Sequence, residues 1–134
     1  MTRYLGIDYG DVRIGVAISD GLGMTAQPYG TIQNTDSAIK EIVSILKENS
    51  ITKLIVGLPK NKQGDDSKKA KDVRQFVEQL HQVHQIDTEF VDERFSTVAV
   101  ERHLIQADVS RSKRKKVVDT QAAMFILQGV LDRS

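Results

Sequence analysis

Three carboxylates carry the chemical interest of this 134-residue chain. Asp8 closes a short apolar run, residues 3–8, in which Leu5 and Ile7 alternate with Gly6 and Asp8. An acid at the end of an inner strand is costly unless it has a partner or faces a cleft. A turn aspartate bonding the Tyr9-Gly10 backbone is the plainer alternative. Asp92 and Glu93 follow a second short apolar run, residues 88–91. Glu93 keeps the parity of Val91, so only one of this pair can continue a given strand face. Asp119 precedes Ala122, Ala123, Ile126 and Val130 at spacings of three, four, seven and eleven. It belongs to the apolar stripe of a helix, near its start, and is expected to face a sheet. The helix dipole explains an acid near a helix start, but not its place on the apolar face. If the three meet, they repel one another unless a cation neutralises them. Oxygen-only ligands suit magnesium or manganese and not zinc. Such a cluster is what phosphodiester hydrolysis needs, one ion activating water and another stabilising the leaving oxygen.

The elements that must position these acids can be read from the hydrophobic period. Residues 3–8 and 13–18 are strands separated by the turn Tyr9-Gly10-Asp11, which predicts an antiparallel hairpin. A third strand falls within residues 24–32, after Gly21-Leu22-Gly23. The period then becomes helical at Ile39, Ile42, Val43 and Leu46, with Asn34 or Thr35 as cap. Residues 53–57 form a short buried strand. Ala70, Val73, Val77 and Leu80 mark a second helix, with Ser67 near its start. Residues 88–91 are the fifth strand. Val100, Leu104 and Ala107 suggest a short third helix, and the last helix covers roughly residues 118–131. The order β-β-β-α-β-α-β-α-α implies an α/β domain spanning residues 1–134. It has a mixed five-stranded sheet, an antiparallel three-strand meander followed by parallel strands, flanked by helices. The ends of the first and fifth strands then share one carboxyl edge, where functional groups collect.

Charge narrows the partner. The net charge is +1, so contact with nucleic acid must come from local clusters. Arg111, Lys113, Arg114, Lys115 and Lys116 form one run just before Asp119. Interrupted by Ser110 and Ser112 and lacking an apolar period, it is expected to be a mobile loop that closes over phosphates. Lys60, Lys62, Lys68, Lys69 and Lys71 form another cluster. Arg13 and Arg94, close in sequence to the candidate acids, complete the expected nucleic-acid-binding set. The absence of cysteine excludes disulfides and thiolate metal sites, and fits a reducing compartment. No secretory leader or stretch of membrane-spanning length is visible, so the cytoplasm is the expected location. His81 and His84, three apart on a polar helix side, make a poor zinc pair.

These residues form a recognisable set. Gly6-Ile7-Asp8-Tyr9-Gly10, Arg13-Ile14-Gly15-Val16-Ala17 and Ser19-Asp20 resemble the opening of the YqgF (RuvX) family of Holliday junction resolvases. So do Val56-Gly57-Leu58-Pro59, Asp92-Glu93-Arg94 with Ser96-Thr97, and Asp119 with Ala122-Ala123 and Ile126-Leu127-Gln128. The resemblance runs from about Tyr4 to Asp132. It implies an RNase H-like fold, with Asp8, Glu93 and Asp119 as catalytic acids and metal ligands. It also implies processing of the 5′ end of the 16S rRNA precursor, or junction resolution, by a monomer or homodimer acting on structured RNA or branched DNA. Pre-ribosomal particles would then be partners. Related resolvases carry their second acid on the fourth strand, which here ends in Gly57-Leu58-Pro59. That acid must come from Glu93, or else from Asp92. Two other readings compete. An RNA-binding factor without catalysis would bind as well once the acids are removed. An actin-like ATPase would share the Gly6-to-Gly10 loop, but needs two such domains to enclose its nucleotide.

Overall fold

The computed structural model describes residues 2–60, 63–92 and 111–133, with side chains of the last stretch read from residue 120 onward. Five strands and three helices are found among them. They run in the order β1 (Tyr4–Tyr9), β2 (Arg13–Ser19), β3 (Ala26–Gln33), α1 (Ala38–Glu48), β4 (Lys53–Leu58), α2 (Lys68–Val83), β5 (Asp87–Asp92) and α3 (Arg111–Leu131). The sheet order is β3-β2-β1-β4-β5. β1, β2 and β3 pair antiparallel, while β4 pairs parallel with β1 and β5 with β4. This is the expected meander followed by helical crossovers. The helix expected around Val100, Leu104 and Ala107 lies outside the described residues.

Strand alternation divides the interior into two cores. Leu5, Ile7, Ile14, Val16, Leu54 and Val56 pack against the apolar stripes of α1 and α2. Ala17 and Ile55 point the other way, onto Ala123, Ile126, Leu127 and Val130 of α3. α2 begins as expected at Ser67, whose hydroxyl accepts the Ala70 N–H at 3.2 Å. α1 departs from expectation. Its N-cap is Ser37, with no side-chain capping bond, and not Asn34 or Thr35. Asn34 is engaged elsewhere: its amide donates to the Gly10 carbonyl at 2.7 Å and its N–H to the Val12 carbonyl at 2.9 Å. The residue braces the β1–β2 turn.

A second departure concerns the basic run. Arg111, Lys113, Arg114, Lys115 and Lys116 are not in a loop, because α3 already begins at Arg111. Lysine and arginine are good helix formers. A missing apolar period does not show that a helix has ended.

α3 is pinned at one end by Gln128. Its side-chain carbonyl accepts the Ala26 N–H at 2.8 Å, and its amide donates to the Met24 carbonyl at 3.0 Å. Ala26 pairs with Ser19, whose hydroxyl accepts the Tyr4 N–H at 2.9 Å, so this end lies over the start of β1. α3 therefore runs antiparallel to β1, and its N-terminal half extends toward the end of β1 that carries Asp8. Gly6 makes the close approach possible. A Cβ there would lie 2.9 Å from the Leu127 Cβ and 3.2 Å from the Ala123 carbonyl oxygen.

The outer strand β3 is irregular. Val16 pairs with Gly30 and Ala17 with Pro28, which leaves Tyr29 as an extra residue in a bulge. No helix among the described residues is long and apolar enough to cross a membrane.

Candidate active site at the carboxyl edge of the sheet

Asp8 is the last residue but one of β1 and is half-buried. It shares its strand face with Gly6, so it stands on the α3 side of the sheet. Its cross-strand partner is Gly15, and the register Ile7↔Val56 brings Gly57 alongside from β4. Both glycines are buried. The strand positions that flank the carboxylate on both sides are thus glycines, which add no side chain to this part of the sheet face. Arg13 shares the face of Gly15 and lies one step nearer the sheet edge, which places a cation beside Asp8. The turn between them needs Gly10, since a Cβ there would meet the Arg13 carbonyl oxygen at 2.4 Å.

Position 119 lies in α3 one helical turn before Ala123, on the side of the helix that contacts Gly6. The antiparallel course of α3 carries that turn toward the edge where Asp8 stands. The basic run continues outward, from 119 to 111, for about 12 Å at the helical rise. Of the two adjacent acids, Asp92 pairs with Leu58 and takes the parity of Phe90, which packs in the α1–α2 core. It is on the face opposite Asp8. Val91 packs in the α3 core, and Glu93 has its parity. Glu93 and Arg94 themselves lie outside the described residues, as do the side chains of Arg111, Lys113, Arg114, Lys115, Lys116 and Asp119.

The donors on hand fit a hard cation. The chain has no cysteine. His81 is on α2, with its Nε2 2.8 Å from the Thr88 hydroxyl, and so belongs to the other face of the sheet. Asp8 offers carboxylate oxygen only.

One acid that sequence reasoning passed over organises the segment after β4. Asp66 accepts from Arg74 Nε at 2.6 Å and from Lys60 Nζ at 2.7 Å, and residues 60 and 66 form a β-bridge. Arg74 also lies over the Phe90 ring, 4.9 Å from its centroid. Lys60, grouped from sequence with the second basic cluster, is thereby engaged. The available signal was a pair of acids, Asp65 and Asp66, amid lysines. The Arg74 guanidinium and the Lys60 ammonium hold the Asp66 carboxyl well below its usual range, to about 2. A depressed carboxylate pKa stabilises the ion pairs above the unfolded value and is lost as pH falls through the folded one. The tether should therefore persist at pH 4 and open only as pH approaches about 2. Carboxyl-carbon NMR titration of Asp66 would show this. A midpoint near 3.8, the ordinary value, would contradict the arrangement.

Comparison with known proteins places this geometry in context. The family model described as RuvX, Holliday junction resolvase, matches residues 2–133. A Clostridioides difficile (strain 630) protein bearing the name of a pre-16S rRNA nuclease is 49% identical over 132 residues, covering 97% of this chain and 94% of the relative. A Bacillus cereus (strain B4264) protein of the same name is 46% identical, with 98% of each chain covered. Among solved structures, Thermus thermophilus RuvC in complex with Holliday junction substrate matches with a TM-score of 0.59 at 12% identity, over 99% of this chain and 95% of that one. The fowlpox virus resolvase in complex with junction DNA matches with a TM-score of 0.59 at 14% identity, over 98% of each. These likenesses establish the RNase H-like fold that the sequence motifs implied.

Proposed function

Because the chain belongs to the RuvX family of Holliday junction resolvases, we propose that it is a metal-dependent endonuclease acting in 5′-end processing of the 16S rRNA precursor. One observation supports the reading: Asp8 stands at the carboxyl edge of the sheet, on the face that packs against α3, between Gly15 and Gly57. Asp8, Glu93 and Asp119 are the acids assigned to catalysis and to holding magnesium or manganese. The ion supplies charge neutralisation and lowers the pKa of water. The rest falls to the chain: the acids orient the reacting groups, Arg13 meets the charge of the scissile phosphate, and Arg94 serves the same strand. The setting is the bacterial cytoplasm, with pre-ribosomal particles as partners and one domain, residues 1–134, doing the work.

The test is cleavage by purified protein, with magnesium or manganese, of a 16S precursor leader, junction DNA and linear duplex DNA. Cleavage of the leader is expected. Cleavage confined to junction DNA would make the chain a resolvase. Binding without cleavage at any metal concentration would favour a non-catalytic RNA-binding factor.

The helical basic run makes a separate prediction. Replacing Lys113, Arg114 and Lys115 by alanine should weaken binding across sequences and reduce the log–log salt slope by roughly 2–3. Helicity should survive, because alanine is the best helix former. Identical slopes in a salt series would remove the run from the binding surface.

A further inference from the structure

On the other face of the sheet, at the same carboxyl edge, a groove opens between the start of α1 and one side of α2. It comprises a cavity of about 310 Å³ beside Asn34, Thr35 and Ile39, and one of about 240 Å³ beside Asp72 and Gln75. Tyr9, Phe76 and Gln79 line both, so the two cavities adjoin. The floor is the half-buried Tyr9 ring, backed by the buried Phe76 ring 4.9 Å away and tilted by 51°. On α2, Asp72, Gln75, Phe76 and Gln79 fall at helical spacing on one stripe, so a carboxylate and two amides run along that floor.

The chemistry of the lining selects a ligand class. Phosphate is disfavoured, because Asp36 and Asp72 line the groove and, among the described residues, no lysine or arginine does. A flat unsaturated ring with hydrogen-bonding edges suits an aromatic floor and an amide rim. A carboxylate only accepts, and guanine offers it two adjacent donors, N1–H and N2–H₂. The position of the groove supplies the connection to the reaction. Tyr9 follows Asp8 directly, their Cα atoms about 3.8 Å apart and their side chains on opposite faces. A strand lying across the sheet edge can present its backbone to Asp8 while one unstacked base enters the groove.

We propose that the groove formed by Tyr9, Phe76, Asp72, Gln75 and Gln79 is a nucleobase subsite that prefers guanine and fixes which phosphate reaches Asp8. The proposal rests on the nuclease reading, but its binding test does not require cleavage. The full chain, without divalent metal, is titrated with guanosine, adenosine, cytidine and uridine monophosphates while Tyr9 and Phe76 ring resonances are followed. Guanosine monophosphate should shift both saturably and bind about tenfold tighter than the others, the low end expected of one bidentate pair in an exposed groove. Asp72→Asn, an exposed helix position, should erase that preference, with the fold checked by circular dichroism. In cleavage, inosine in place of guanine beside the scissile phosphate, which removes N2–H₂, should lower kcat/KM about tenfold in the wild type and not in Asp72→Asn. Equal shifts from all four nucleotides, shifts confined to the α3 face, or an unchanged preference in Asp72→Asn would each overturn the proposal. Selective guanosine binding without cleavage of any substrate would instead overturn the nuclease reading and leave the groove as a base site.

Discussion

Asp8→Asn should leave the protein folded and lower its metal-dependent cleavage by at least about 1000-fold, equivalent to about 4 kcal/mol of barrier. Asparagine keeps the shape of the side chain and its capacity to bond the turn, and removes the charge that a hard cation requires. The position is half-buried at a strand end and the substitution is isosteric, so the fold should hold. If the acids repel one another without metal, the variant should melt slightly higher than the wild type in chelator, and magnesium should no longer raise its Tm. The same assay separates the neighbouring acids. Glu93→Gln should lose nearly all cleavage, while Asp92→Asn should retain most of it, because Asp92 stands on the face away from Asp8. An Asp8→Asn enzyme within tenfold of wild type would end the assignment, and equal losses at 92 and 93 would end the distinction between that pair.

Gly6→Val should cost about 3 kcal/mol of stability, the upper end of ordinary overpacking. Even a Cβ would meet Leu127 at 2.9 Å and the Ala123 carbonyl at 3.2 Å, so α3 must lift from β1. Against a total of roughly 5–15 kcal/mol for a domain, that is a large fraction. Cleavage should fall as well, since the lifted helix carries position 119. Gly129→Ala is the internal comparison. It lies in the same helix with open space around it, and alanine there should stabilise by about 0.5–1 kcal/mol through helix propensity. Urea unfolding of both variants settles the matter, and a Gly6→Val protein as stable as wild type would show that α3 does not rest on this glycine.

The strand alternation that places Asp8 beside Gly6, and Leu5 beside Ile7, was legible in the sequence because burial on two faces leaves a period-two record. The crossovers through α1 and α2 likewise followed from their apolar stripes. The start of α3 was not legible, since a helix is read from its hydrophobic period and the sequence 111–116 carries no apolar residue. Asn34 looked like a cap because caps and turn braces use the same side chain. Asp66 and the groove beside Tyr9 were hidden for a different reason. Their partners are separated in sequence, Asp66 from Arg74 by eight residues and Asn34 from Gln79 by far more, and only the packed helices bring them together.

The irregularity of β3 bears on how the molecule behaves in company. An edge strand presents a row of unpaired peptide groups, which in a regular strand is a template for another chain. Here Pro28 has no N–H to offer, and the extra residue Tyr29 breaks the spacing of the groups on either side. At the opposite edge β5 begins and ends in exposed aspartates, and its Glu89 is held by Lys53 and Arg133. The bulge at one margin and the charges at the other both work against edge-to-edge pairing with another sheet.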